Sequence, residues 1–221
     1  MKGDSAVASN YDNKMKALDY IKEQIITCAL APGAVIQVDE IAEHLGISKT
    51  PVREALLELQ HDNYVNVVPR KRTTVSKISL RDLKDVYDAR TLIECHLLAT
   101  LSPSELESNR DMLLMMQRDW ERVDTGNQSH EGYVELLNSD LKFHQALISM
   151  HSNQHLVRFC QELIYKSQRF WYLALFNNRI DVVRQEHLEI LHSLITGDTA
   201  AAASACQKHI SVSKAMSILS E

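Results

Sequence analysis

Four residues spread over the second half of the chain have the types and spacing to hold a metal: Asp140 and His144, then His187, then His209. Asp140 and His144 stand four apart, which on a helix places them on one face. His187 and His209 fall in the last two helical segments, which should pack against each other and against the segment carrying Asp140. One carboxylate and three imidazoles can then converge on a divalent transition metal. Spacing alone equally allows surface or hydrogen-bonded core histidines, because the chain has 10 histidines and Asp-x3-His arises often by chance. His192 is five residues from His187, roughly 140° round a helix of 3.6 residues per turn, so the two do not share one ion. His151 and His155 flank a loop. His44, His61, His96 and His130 read as surface or packing residues.

A second constellation lies in the first half. The run Ile47 to Leu56, ISKTPVREAL, follows a short amphipathic segment and a turn glycine, and precedes a basic hairpin. That order is how a winged helix-turn-helix presents a recognition helix to DNA. Arg53 could grip guanine O6 and N7, or a phosphate. Ser48, Lys49 and Thr50 sit where a helix N-terminus meets the phosphate backbone. Arg70, Lys71 and Arg72 at the hairpin tip could reach phosphates or the minor groove. The other use of such a fold is protein contact, with a solvated basic turn.

These side chains need particular elements to position them. Met15, Leu18, Ile21, Ile25 and Ile26 recur at helical spacing from Lys14, and Ala31-Pro32-Gly33 should end that helix near Leu30. A second helix spans Val38 to Leu45, burying Val38, Ile41, Ala42 and Leu45, with Gly46 as its left-handed stop. A third starts at Ser48 or Thr50, with Pro51 in its first turn and Val52, Ala55, Leu56 and Leu59 as its buried stripe. Tyr64–Val68 and Thr73–Ile78 read as the two strands of the wing. Residues 1–13 are polar and are expected to be a flexible N-terminus. Beyond Ser79 the pattern predicts six helices and no strand: 80–101, 104–124, 130–151, 154–177, 180–196 and 199–219. Their short connections imply antiparallel neighbours in a bundle. The expected organisation is a DNA-binding domain over 14–78 and an all-helical domain over 79–221.

Composition agrees with a mainly α protein of 221 residues: Gly (6) and Pro (4) are scarce. No apolar run approaches the roughly 20 residues of a membrane span, and the N-terminus lacks an apolar signal core, so a cytoplasmic location is expected. The cysteines, Cys28, Cys95, Cys160 and Cys206, form no CxxC pair and read as reduced and buried. The net charge of −5 does not itself suggest nucleic acid. It is uneven, however: residues 1–78 carry 10 basic and 10 acidic side chains, residues 79–221 carry 14 and 19. No acid stands between Asp62 and Asp82, so the hairpin is a local basic patch.

The run Ala31-Pro32-Gly33, Ile41-Ala42 and Leu45-Gly46-Ile47-Ser48-Lys49-Thr50-Pro51-Val52-Arg53-Glu54-Ala55-Leu56 resembles the N-terminal domain of GntR-type transcriptional regulators, whose pattern reads PG, LA, LGVSRTPVREAL. The resemblance implies that Lys49, Thr50 and Arg53 contact DNA and that the wing tip approaches the minor groove. Lys49 stands where the family usually has Arg, keeping the charge and losing the fork. Arg72 stands where the wing usually has Gly, which would replace a backbone contact by a side-chain one. Residues 80–219 are similar to the all-helical FCD effector domain of the FadR branch. The matches are Asp85-Val86-Tyr87-Asp88-Ala89-Arg90 with Glu94, Asp140-x-x-Phe143-His144, Asn153, Glu186-His187-x-x-Ile190-Leu191, Gly197-Asp198, Ala202 and His209-Ile210. In metal-binding members the positions matching Asp140, His144, His187 and His209 are the ligands.

What the resemblance implies is a metabolite-responsive regulator, commonly a repressor relieved by ligand, that binds a pseudo-palindromic operator as a homodimer. The metal would be zinc first, with nickel, manganese or iron as alternatives. Four ligands close a tetrahedral zinc site; on an octahedral ion they leave two positions where a small organic acid could bind. Arg90 could pair with such an acid in a forked contact, although the sequence alone allows a simple ion pair with Glu94. Arg169, beside Phe170-Trp171-Tyr172, is a second pocket candidate, the aromatic group itself reading as core. Two rival classes stay open: a constitutive DNA binder with a structural metal, and a helical-bundle metalloenzyme. Against the enzyme, there is no HExxH motif and no further carboxylate or histidine at an obvious general-base spacing.

Overall fold

The computed structural model describes residues 2–68, 72–77, 79–126, 129–175 and 180–219, which fall into two units, Met1–Ile78 and Ser79–Glu221. The first runs α1 (Lys2–Ile26), β1 (Val35–Ile36), α2 (Val38–Leu45), α3 (Lys49–His61), β2 (Val65–Val68) and β3 (Arg72–Val75). Ala17, Ile21 and Ile25 of α1 and the α3 stripe of Val52, Ala55, Leu56 and Leu59 are all buried where the two helices pack. The antiparallel hairpin sets Val65 opposite Val75 and Val68 opposite Arg72. With β1 on the other side of β3, the strand order is β1-β3-β2. This is a winged helix-turn-helix.

Four details depart from the sequence reading. α1 reaches back to Lys2 instead of starting at Lys14. No proline interrupts 2–13, and extending a helix is far cheaper than nucleating one. The helix stops at Ile26, short of Leu30: Cys28 takes φ 56°, and Leu30 N–H returns to Gln24 O at 2.8 Å, a left-handed closure. β1 was not expected, being too short to show alternation; Gly33 N–H and the Val75 N–H, bonded to Val75 O and Ala34 O, hold it to β3. Val38 and Leu45 are half-buried instead of buried. Of the wing, Arg72 opens β3, while Pro69, Arg70, Lys71 and Ile78 lie outside the described residues.

The second unit comprises α4 (Leu80–Ala99), α5 (Pro103–Ser108), α6 (Arg110–Glu121), α7 (His130–Ser149), α8 (Gln154–Leu175), α9 (Ile180–Ile195) and α10 (Thr199–Leu219), with no strand among the described residues. The segment expected as one helix over 104–124 is two. Asn109, at φ −108° and ψ 9°, ends α5 and opens α6, and its Nδ2 donates to Glu105 O at 2.8 Å. Ser102 and Glu105 cap α5 reciprocally, with Pro103 in the first turn. α10 packs against both α4 and α9; α6 packs on α9, and α7 and α4 on α8. Leu97, Ile148, Val157, Cys160 and Ile164 join α4, α7 and α8 in one apolar cluster. Phe170 and Trp171 are buried, as a core reading requires. Cys160 and Cys206 are buried, but Cys28 and Cys95 are only half so. No helix among the described residues is long and apolar enough to cross a membrane.

Gly46 closes α2 at φ 65°, and a Cβ there would meet nothing within 4 Å. Gly46→Ala is therefore expected to lose only the left-handed preference, about 1 kcal/mol, measured as a lower urea midpoint. A loss several times larger would show that more than backbone conformation is at stake.

Candidate metal centre and nucleic-acid face

Asp140 and His144 project from α7, His187 from α9 and His209 from α10, and all four are buried with ligand atoms within 4.8 Å of one another. His209 Nε2 lies 3.2 Å from His144 Nε2 and 3.3 Å from His187 Nε2. Asp140 Oδ1 is 3.3 Å from His187 Nε2 and 3.7 Å from His144 Nε2. Donors about 2.1 Å from one ion stand about 3.0–3.4 Å apart, for right to tetrahedral angles; three of these four separations fall in that range, and the 3.7 Å between Asp140 and His144 asks for a wider angle.

Proton placement makes the same point. Glu94 Oε2 lies 2.7 Å from His144 Nδ1, and Glu186 Oε2 lies 2.9 Å from His209 Nδ1. A carboxylate accepts and cannot donate, so each Nδ1 carries the proton and each Nε2 presents a bare lone pair to the centre. Asp140 Oδ1, buried among them, has no hydrogen-bond partner. The buried charged groups among the described residues are Arg90, Glu94, Asp140 and Glu186. With neutral imidazoles they leave two negative charges uncompensated, the balance a divalent cation would restore.

His187 is held differently. Its Nδ1 has no hydrogen-bond partner. Instead its ring stacks on Phe143 at 3.8 Å between centroids and meets Trp120 edge-on at 4.1 Å. Burial pushes the His187 imidazole down to about 4, against the pull of Asp140. Burial, followed by the nearby Arg90 charge, holds His144 well below the usual histidine range. Burial alone would raise Asp140, but the His144 and His187 imidazoles outweigh it and bring the carboxyl down to about 2.

Arg90 extends the centre. Its Nε donates to Glu94 Oε1 at 2.5 Å and its Nη1 to Ser167 Oγ at 2.9 Å, while Nη2 is buried without a partner. The sequence reading treated Glu94 only as the i+4 partner of Arg90 and gave Glu186 and Ser167 no role. The available signal was two acids placed on helix faces that the core covers. Both carboxylates are close to the ligands and are engaged with their Nδ1 atoms. The Arg169 side chain lies outside the described residues. His192, His61 and His96 are exposed; His151 bonds Thr100 Oγ1 at 3.1 Å and accepts from Asn153 N–H.

In the first unit Ser48, Lys49, Thr50 and Arg53 are all exposed on the N-terminal half of α3. Ser48 is the N-cap residue but makes no side-chain capping bond, leaving its hydroxyl and the helix N–H groups available to an anion. Lys49 pairs with Asp39 of α2 at 3.0 Å; so exposed a pair contributes little and exchanges readily for a phosphate. Arg53 and Arg72 line one groove with Leu57 and Val68. Arg70 and Lys71 are not among the described residues.

A winged helix-turn-helix followed in the chain by an all-helical unit with an internal polar centre defines the class of transcriptional regulators that join a DNA-recognition fold to a helical regulatory domain. Residues 14–75 match the bacterial regulatory proteins of the gntR family, and residues 85–212 match the FCD domain. The chain belongs to the GntR family of transcriptional regulators and carries an FCD domain. It is 24% identical to the transcriptional repressor RspR of Escherichia coli K12 over 191 residues, 86% of this chain and 82% of that one. It is 27% identical to a helix-turn-helix regulator from an unstable DNA locus of Streptomyces ambofaciens over 195 residues, 86% and 78% of the two chains. Its fold resembles that of a GntR regulator from Rhodococcus sp. RHA1, with TM-score 0.74 at 20% identity over 94% of this chain and 98% of that one. The metal-free FCD domain of TM0439 matches at TM-score 0.51 and 18% identity over 66% and 97%.

The buried imidazoles set a pH dependence. His144 and His187 are depressed in the folded state, so below the ordinary histidine value the unfolded chain binds more protons. Their contribution is complete above about pH 6.5 and is lost as pH falls toward 4, at up to about 1.4 kcal/mol per pH unit for each histidine. Chelator-treated protein should show its urea midpoint falling through that window. A flat midpoint would mean that these imidazoles are already charged in the fold.

Proposed function

We propose that the protein is a metabolite-responsive repressor. As a homodimer it binds a pseudo-palindromic operator through a DNA-binding domain over 14–78, and a small organic acid controls it at a divalent-metal site in the dimerisation and effector domain over 79–221. The observation that carries the reading is the meeting of three buried imidazole Nε2 atoms and a carboxylate, with two of the imidazoles turned to present bare lone pairs. Glu94 and Glu186 hold two of the imidazoles in the ligating tautomer. A bound divalent ion, zinc first, supplies Lewis acidity that a carboxylate can share. Arg90 keeps one N–H free for the same acid, which favours a sensor over a purely structural zinc. Likeness to RspR, a repressor by name, supports the sign of control.

Two-fold protein symmetry calls for two half-sites, each met by one α3. Ser48, Lys49 and Thr50 would meet phosphates, and Arg53 a base edge or a phosphate, with Arg70, Lys71 and Arg72 at the wing. The acid regulates by binding unequally to the two arrangements of the dimer, which is the sole source of coupling between the sites.

Two measurements test the two halves. Native mass spectrometry of protein purified without chelator should find about one divalent ion per chain, and His187→Ala should lose most of it, because a tetrahedral set short of one ligand is weaker. Full occupancy in that variant would refute the ligand set. Arg53→Ala should abolish specific binding in an anisotropy titration against a selected operator while leaving the thermal melt unchanged. Losing a bidentate base contact costs about 1–3 kcal/mol, so unchanged affinity would remove Arg53 from the interface.

A further inference from the structure

The antiparallel seam of α4 and α10 carries two thiols that the proposed regulation does not use. Tyr87 and Ser217 bond across it at 3.3 Å, Asp88 pairs with Lys214, and Glu94 Oε2 lies 4.0 Å from Cys206 Sγ. That register, with Glu94 next to Cys95 in the chain and in contact with Cys206, brings Cys95 opposite Cys206. Most of the buried positions on α10 are small, Ala202, Ala205, Cys206, Ser213 and Ser217, beside the larger His209 and Ile210. Cys95 is half-exposed and Cys206 fully buried: one thiol open to a small oxidant, the other behind it. Cys206 lowers the Cys95 thiol and Cys95 raises that of Cys206, which makes Cys95 the readier nucleophile.

We infer that Cys95 and Cys206 form a peroxide-sensitive dithiol that closes to a disulfide between α4 and α10. The Cys95 sulfur attacks the distal oxygen of a hydroperoxide; the O–O bond breaks, an alcohol or water leaves, and Cys95 becomes a sulfenic acid. The Cys206 sulfur then attacks the Cys95 sulfur, the S–O bond breaks, and the hydroxyl departs with the Cys206 proton as water. Two thiols are oxidised, one peroxide is reduced, and one further water is formed. The Cys206 thiol also lies beside Glu94 Oε2, the oxygen that holds His144. Closure removes that thiol proton and fixes the seam carrying Glu94 and His209. Its effect on metal rests on the proposed metal centre, whereas the cross-link does not.

The test is a peptide map of the reduced full-length protein after a few equivalents of hydrogen peroxide, alkylated and digested without reductant. A Cys95–Cys206 peptide, lighter by two hydrogens and reversed by dithiothreitol, is the expected result. Cys206→Ser should leave Cys95 as a dimedone-reactive sulfenic acid; if that variant does not fold, the wild-type map still decides. Cys95 taken to sulfinic acid with no cross-link, or joined to Cys160 or to a second chain, would overturn the inference. In the same samples, zinc affinity by chelator competition should change by about tenfold on oxidation, the size expected when a group behind a ligand is altered. A cross-link with unchanged zinc affinity would overturn the regulatory half alone.

Discussion

Three imidazole Nε2 atoms and one carboxylate oxygen meet in a dry interior, with His209 Nε2 3.2 Å from that of His144 and 3.3 Å from that of His187. Charging the rings is opposed by burial, as the depressed His144 and His187 values show. With neutral rings, the His144 and His209 lone pairs face one another and the Asp140 carboxylate adds a buried negative charge. Leaving a buried ion uncompensated costs several kcal/mol. The second unit therefore carries a constraint that its apolar packing must override, or that a cation removes. The excess of negative over positive buried groups points to the cation.

The helices answer that constraint in two ways. Hydrogen bonding fixes His144 and His209, whose Nδ1 atoms are each held by a carboxylate from another helix or from a different turn of the bundle. Packing fixes His187, whose ring lies on Phe143 with Trp120 at its edge. The first device also raises the basicity of the ligand; the second sets direction without adding charge. A third buried carboxylate behind His187 would have deepened the negative excess, so aromatic packing there is the less costly solution.

Much of this was legible in the chain. The α2 boundaries, the Gly46 stop, the α3 stripe and the helical character of everything after Ser79 follow from periodicity and breaker residues, which are local signals. The split at Asn109 and the two-residue β1 did not show. Asn109 interrupts by one residue's backbone geometry, and β1 exists only because β3 offers it partners. The same division separates the site residues. Asp140 and His144 are visible as an i, i+4 pair, but no pattern within a single helix could show that Glu94 stands behind His144. That contact depends on how α4 meets α7, a tertiary fact. Glu186 stands next to His187 in the chain, yet it faces His209 on α10, which no spacing within α9 shows.

Glu94 is where these dependences meet. One of its oxygens accepts from Arg90 and the other from His144, with the Cys206 thiol beside the second. Burial pushes this carboxyl upward, and Arg90 acts against that rise. Any acid that drew the Arg90 guanidinium toward itself would weaken the cation that pairs with Glu94 and favours its ionised form. The proton on His144 Nδ1 would then be shared more evenly, and His144 would become a weaker donor at Nε2. An acid that used both Arg90 and the ion would offset this by bringing its own negative charge to the centre. Acid and ion would thus be coupled through Glu94 even without direct contact, and the coupling would act in both directions, as linkage requires. The chain from Arg90 through Glu94 to His144 is short, buried and made of charged hydrogen bonds, so a shift at one end has little solvent to absorb it.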